Sequence, residues 1–231
     1  MAAKYVALLL AVLAAGVALV VLGPRLLGLA AGPEAELITL LKTSERRDLA
    51  LEVPGAQAKL RSRRHEYQRL SVWLDPDGEV AHVAATLQFE GRLGDVDVSS
   101  LGVEQIAFRR DGSDWIPVKG LAPNLVAVVG ALERRRQALS PLSLPRLGPL
   151  LPPDAGLSIP AGGDLALLEA LSGARYTAKS WFIRIDRGSA QVAEDYRLTG
   201  TLPDRPVDEV GTRRLDLIRG DAEFYFWPGL M

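Results

Sequence analysis

The chain has 231 residues and no cysteine, which excludes disulfides, thiolate-bound metals and a cysteine nucleophile. Histidine is almost as scarce. His65 and His82 are the only two, too few to build a multi-histidine metal centre. Neither sign of charge dominates: 27 basic residues face 28 acidic ones for a net charge of −1. No overall field therefore draws nucleic acid or anionic lipid to the protein. Phosphate-binding G-x-x-x-x-G-K, a dinucleotide-type G-x-G-x-x-G, a G-x-S-x-G nucleophile elbow and a zinc-binding H-E-x-x-H are all missing. These absences point away from catalysis, and no metal or cofactor is expected.

One long uncharged run is present. Tyr5 to Pro24 carries no ionisable residue except the tyrosine and is bracketed by Lys4 and Arg25. As a helix its twenty residues would span about 30 Å, the thickness of a bilayer's hydrocarbon core. Residues 1–30 are read as a single membrane anchor, with Tyr5 at one interface and Gly23-Pro24 ending the helix at the other. A cleaved signal sequence is the competing reading, favoured by the small residues Leu29-Ala30-Ala31-Gly32. Lys4 opposes Arg25, Lys42, Arg46 and Arg47, a balance that leans toward a cytoplasmic C-terminal region. The short N-terminal stub leans the other way, since long downstream domains translocate largely regardless of charge. We expect a single pass through the inner (cytoplasmic) membrane with the remainder periplasmic.

The remainder contains an internal echo. Tyr67 to Leu121 recurs ungapped as Tyr176 to Leu230, 109 positions later, through pairs such as Tyr67/Tyr176, Gly91/Gly200, Leu93/Leu202 and Arg110/Arg219. Identity is about a quarter over roughly fifty-five positions, enough to predict two domains of one fold, at residues 31–121 and 122–231. Each copy runs from helical to β-rich sequence. Helices are predicted at 34–43, 56–64, 124–139 and 165–171, and strands at 68–74, 80–89, 103–109, 115–118, 178–185, 190–199, 212–218 and 223–227. Residues 140–154 hold five prolines and no counterpart in the first copy. Their leucines predict a loop packed across a surface, as a pocket lid or an interdomain contact.

The repeated phrase is Ala81-His82-Val83-Ala84, then Gly91, then Ile106 to Trp115, and again Ala190-Gln191-Val192-Ala193, Gly200, and Leu215 to Phe224. With helices preceding four strands, this order resembles the NTF2-like (SnoaL-like, cystatin-like) cone. The resemblance implies an α+β protein with two tandem cones, each a curved antiparallel sheet packed on helices. The layout is also similar to VirB8-type inner-membrane components of secretion systems, which join one anchor to one such domain. It implies a non-enzymatic envelope scaffold whose partners are other envelope proteins or further copies of itself.

The alternative is a binder of small hydrophobic molecules or lipids, or an enzyme, using a cavity in the second copy. Strand alternation places Val192, Glu194, Tyr196 and Leu198 on one face, where the first copy has Val83, Ala85, Leu87 and Phe89. A carboxylate on that apolar face needs a partner or acquires a raised pKa, as a general base does. Glu194 is thus the candidate base, with Arg184 on the preceding strand as its partner if it points the same way and Tyr196 or Arg184 to orient substrate; the competing reading is a Glu194 near a strand end or bulge that reaches solvent. Arg134-Arg135-Arg136 reads as a solvated helix end. The terminal aromatics Phe224, Tyr225, Phe226 and Trp227 are the candidate interface, since one buried strand face accounts for only two of them.

Overall fold

The computed structural model describes residues 32–152, 164–220 and 223–226. The chain divides into two compact units, Met1–Leu40 and Leu41–Met231. The first is described only for the N-terminal part of α1 (Pro33–Ser44), which starts on a proline with Glu34 and Glu36 in its first turn, a favourable helix start. Residues 5–24, assigned to the membrane anchor, lie outside the described residues. Among the described residues no helix is long and apolar enough to cross a membrane.

The second unit is built on one nine-stranded sheet: β1 (Ala50–Leu51), β2 (Leu60–Leu74), β3 (Val80–Leu93), β4 (Val96–Asp111), β5 (Asp114–Pro117), β6 (Ser172–Ile185), β7 (Ser189–Thr201), β8 (Pro206–Arg219) and β9 (Phe224–Phe226). The strand order is β1-β2-β3-β4-β6-β7-β8-β9, with β5 paired to β4. All neighbours are antiparallel except β4 and β6, which pair in parallel from Asp97↔Ser180 to Gly102↔Ile185. A parallel pair needs a long crossover. Here it carries α2 (Pro123–Leu139), α3 (Leu144–Leu147), a 3-10 turn (Gly148–Leu150) and α4 (Asp164–Ala170).

This architecture overturns the expectation of two tandem NTF2-like cones. The strands of both halves belong to one mixed sheet, and the crossover helix α2 packs on β4 and β6, one strand from each half. Two separate domains would each expose a sheet edge, and an exposed edge is a row of unpaired amides and carbonyls. Joining β4 to β6 satisfies both. The 109-residue spacing corresponds to matched hairpin registers inside this sheet, as in Val83↔Ile106 and Val192↔Leu215, and does not mark out two domains.

Several element boundaries also differ from expectation. Residues 56–64 are no helix: β2 begins at Leu60 and pairs with β3 along almost its whole length. Of the proline-rich segment 140–154, residues 140–152 are described. They form α3 and the 3-10 turn, with Leu147, Leu150 and Leu151 buried.

The core lies on the α2 side of the sheet. In β3, Ala81, Val83, Ala85, Leu87 and Phe89 point inward. In α2, Leu125, Val128, Leu132 and Leu139 share one buried stripe on the helix that packs on β4 and β6. Buried Glu104 of β4 caps this helix. Its carboxylate accepts from the Asn124 amide at 2.7 Å and the Leu125 amide at 2.8 Å, two of the donors a helix start leaves free. Burial pushes the Glu104 carboxyl up to about 8, while those amides and Arg219 pull it down.

Candidate functional site

Glu194 sits on β7 between Val192 and Tyr196, on the inward face as alternation predicts, and is fully buried. Its partner is not Arg184. That residue points to the opposite, outward face of β6. The partner is Arg135, from the helix end expected to be solvated: Nη1 donates to Glu194 Oε1 at 2.8 Å, with 1 % of each side chain exposed. Tyr176 donates its hydroxyl to the same Oε1, and Trp181 Nε1 donates to Oε2 at 2.8 Å. Both carboxylate oxygens are therefore engaged by buried donors.

Local structure explains how these groups converge. Arg135 occupies the helix stripe 125, 128, 132, 135, 139, so the periodicity that buries leucine and valine also buries the guanidinium. In β6 the register with β7 shifts between Ala178 and Ser180. This bulge reverses the alternation, so Tyr176 and Ala178 point inward before it and Trp181, Ile183 and Ile185 after it. Without the bulge Trp181 would face outward. Directly opposite Glu194, it closes the carboxylate off instead.

Aromatic rings fill the remaining space. Tyr176 and Tyr196 stack at 5.3 Å. Arg135 lies over Tyr176 at 5.5 Å and over Phe226 at 5.9 Å, and Arg213 lies over Tyr196 at 4.8 Å. Cations in such positions gain from the rings' negative faces. The Tyr196 hydroxyl points away from Glu194 and donates to Glu209 Oε1 at 2.9 Å.

Burial and neighbouring charges act on the arginines and tyrosines of the cluster. Burial works to lower the Arg135 pKa, but Glu194 and Tyr176 outweigh it and the net shift is upward. Burial, opposed by Arg135 and reinforced by Glu194, raises Tyr176. Tyr196 is pushed up to about 12, chiefly by burial. Arg213 is lowered to about 9 by burial and by the nearby Arg135 charge.

The cavities described do not reach this cluster. One, of about 320 Å³, is lined among others by Trp73, His82, Lys119 and Arg219. A second, of about 540 Å³, lies by Gly55, Arg136 and Arg146. The third, about 390 Å³, is an open depression over Leu101 and Phe182. None is lined by Glu194 or Tyr196. Of the terminal aromatics, Phe224 and Phe226 are buried and Tyr225 is half-buried. Trp227 lies outside the described residues. No group of histidine and acidic side chains arranged to hold a metal occurs among the described residues.

Sequence reasoning missed Arg135 and Trp181. The stripe in α2 was readable, whereas the bulge that turns Trp181 inward leaves no local sign. No protein family matches the chain, and no curated protein or solved structure does either.

Proposed function

We propose that this chain is a non-enzymatic scaffold working through protein–protein contacts made by the outward face of its sheet. One observation carries the reading. Leu101 of β4 and Phe182 of β6 stand 54 % and 53 % exposed, close together beside the parallel junction. Large apolar side chains clustered in the open are characteristic of contact surfaces, whereas the candidate base Glu194 is enclosed. The uncharged run at residues 5–24 supports placing the scaffold at the inner membrane.

The reading is tested by a photo-crosslinking amino acid placed in the full-length chain in cells. Substitution at Leu101 or Phe182 is expected to give protein adducts. Substitution at exposed Arg205 in the β7–β8 turn should give none. Absence of adducts at 101 and 182 would remove the proposal.

A further inference from the structure

We infer that the partner on this outward face is a second copy of the same chain, packed sheet against sheet about a two-fold axis. The inference rests on the scaffold reading and adds the identity and register of the partner. Its basis is the order of side chains in two adjacent outward rows, which strand pairing specifies residue by residue.

The first row crosses β2, β3, β4, β6, β7 and β8 as Arg64, Glu90, Ser99, Phe182, Ala193 and Arg214. The second crosses the same strands as Glu66, Gln88, Leu101, Arg184, Gln191 and Asp216. All twelve are exposed or half-buried. The rows are complementary strand by strand: arginine beside glutamate on β2, glutamate beside glutamine on β3, phenylalanine beside arginine on β6, arginine beside aspartate on β8.

A two-fold axis lying between the rows and parallel to them superposes the first row of one copy on the second row of the other. Each strand then faces its own counterpart running the opposite way. Arg64 meets Glu66, Phe182 meets Arg184, and Arg214 meets Asp216, each pair occurring twice. Within one chain the two charge pairs already lie at 3.6 Å and 3.1 Å, so at the two outer strands the contact shares existing pairs. At the centre Leu101 and Phe182 of both copies leave water. The arrangement is isologous, as a two-fold contact must be.

The area suits a weak dimer. Six strands about 4.8 Å apart and the three outward rows that run through the β4–β6 pairing, about 6.8 Å apart, cover roughly 600 Å², the area each partner contributes at the low end of specific interfaces. The bulge after Ala178 is what makes the face possible, because it turns Phe182 outward as it turns Trp181 inward.

Sedimentation velocity of the full-length chain in mild detergent, over a concentration series, tests the inference. The wild type is expected to dimerise at micromolar concentration, and Phe182→Ala to weaken the dimer roughly 30-fold, as loss of a central aromatic anchor does. Arg214→Asp should weaken it by setting acid against acid. Adding Asp216→Arg should restore it, since the exchanged pair is again complementary. The charge-swap series decides the matter should Phe182→Ala fold poorly. A wild type that stays monomeric, a dimer indifferent to Phe182, or a double swap that fails to restore association overturns the inference. A monomer whose positions 101 and 182 still cross-link to a different protein overturns the second copy alone. Absence of any adduct removes the scaffold as well.

Discussion

Replacing Glu194 by alanine is expected to destabilise the fold by about 3–5 kcal/mol, because it leaves a buried guanidinium without its counter-ion. Arg135 cannot move to water, since only 1 % of its side chain is exposed. Its Nε and Nη2 have no hydrogen-bond partner among the described residues even in the intact cluster. The Tyr176 hydroxyl and the Trp181 indole N–H lose their common acceptor at the same time. A loss of this size is a large share of the ~5–15 kcal/mol that separates a typical domain from its unfolded state.

Arg135→Ala should cost about as much, for the mirror-image reason. The double replacement Arg135→Met with Glu194→Leu should recover most of the loss, because exchanging a buried ion pair for apolar groups of similar volume is often close to neutral. Urea unfolding of the wild type, both single variants and the double variant measures this as a double-mutant cycle. Single variants within 1 kcal/mol of the wild type would mean that the pair is not sealed as described.

Gly102→Val is expected to be nearly as damaging, at about 3 kcal/mol or more, through overpacking. Gly102 pairs with Ile185 at the end of the parallel junction between β4 and β6. A Cβ built there lies 2.4 Å from Ile185 Cβ and 3.1 Å from Ile185 Cα. Trimming the Ile185 side chain leaves its Cα and Cβ in place, so relief requires the two strands to part. Gly102→Ala introduces the same Cβ and should already lower the thermal midpoint by several degrees. Gly78, at the β2–β3 turn, offers a control of opposite character. A Cβ there touches nothing within 4 Å, but its φ of +71° strains any other residue.

What was legible in the sequence was local. Alternation placed Val192, Glu194, Tyr196 and Leu198 on a single face, and all four are buried there. Helical spacing located α2 to within one residue of its observed start. What escaped was long-range. Nothing in β4 or β6 taken alone announces that they will pair across the 60 residues between them, because each carries the same alternation as a strand on the edge of its own domain. The choice between two closed domains and one continuous sheet is made by strand edges and by a helix that covers strands from both halves.

The same reasoning separates Glu194 from its true partner. Arg184 is close in sequence and on the adjacent strand, yet the bulge after Ala178 sends it outward. Arg135 is distant in sequence and embedded in a run of three arginines. Of that run Arg134 meets Glu223 and Arg136 meets Glu133, while the middle residue turns into the core. Composition marks the run as solvated, and only the 3.6-residue period singles out its middle member.

Both halves fold as one sheet joined at β4 and β6. Native-state hydrogen exchange of the full-length chain, resolved by residue, tests it most directly. The paired amides within 97–102 and 180–185 are expected to exchange only through global unfolding, at one common free energy shared with the cores of β3 and β7. Separate free energies for the two halves, with the β4–β6 amides opening ahead of either, would contradict it.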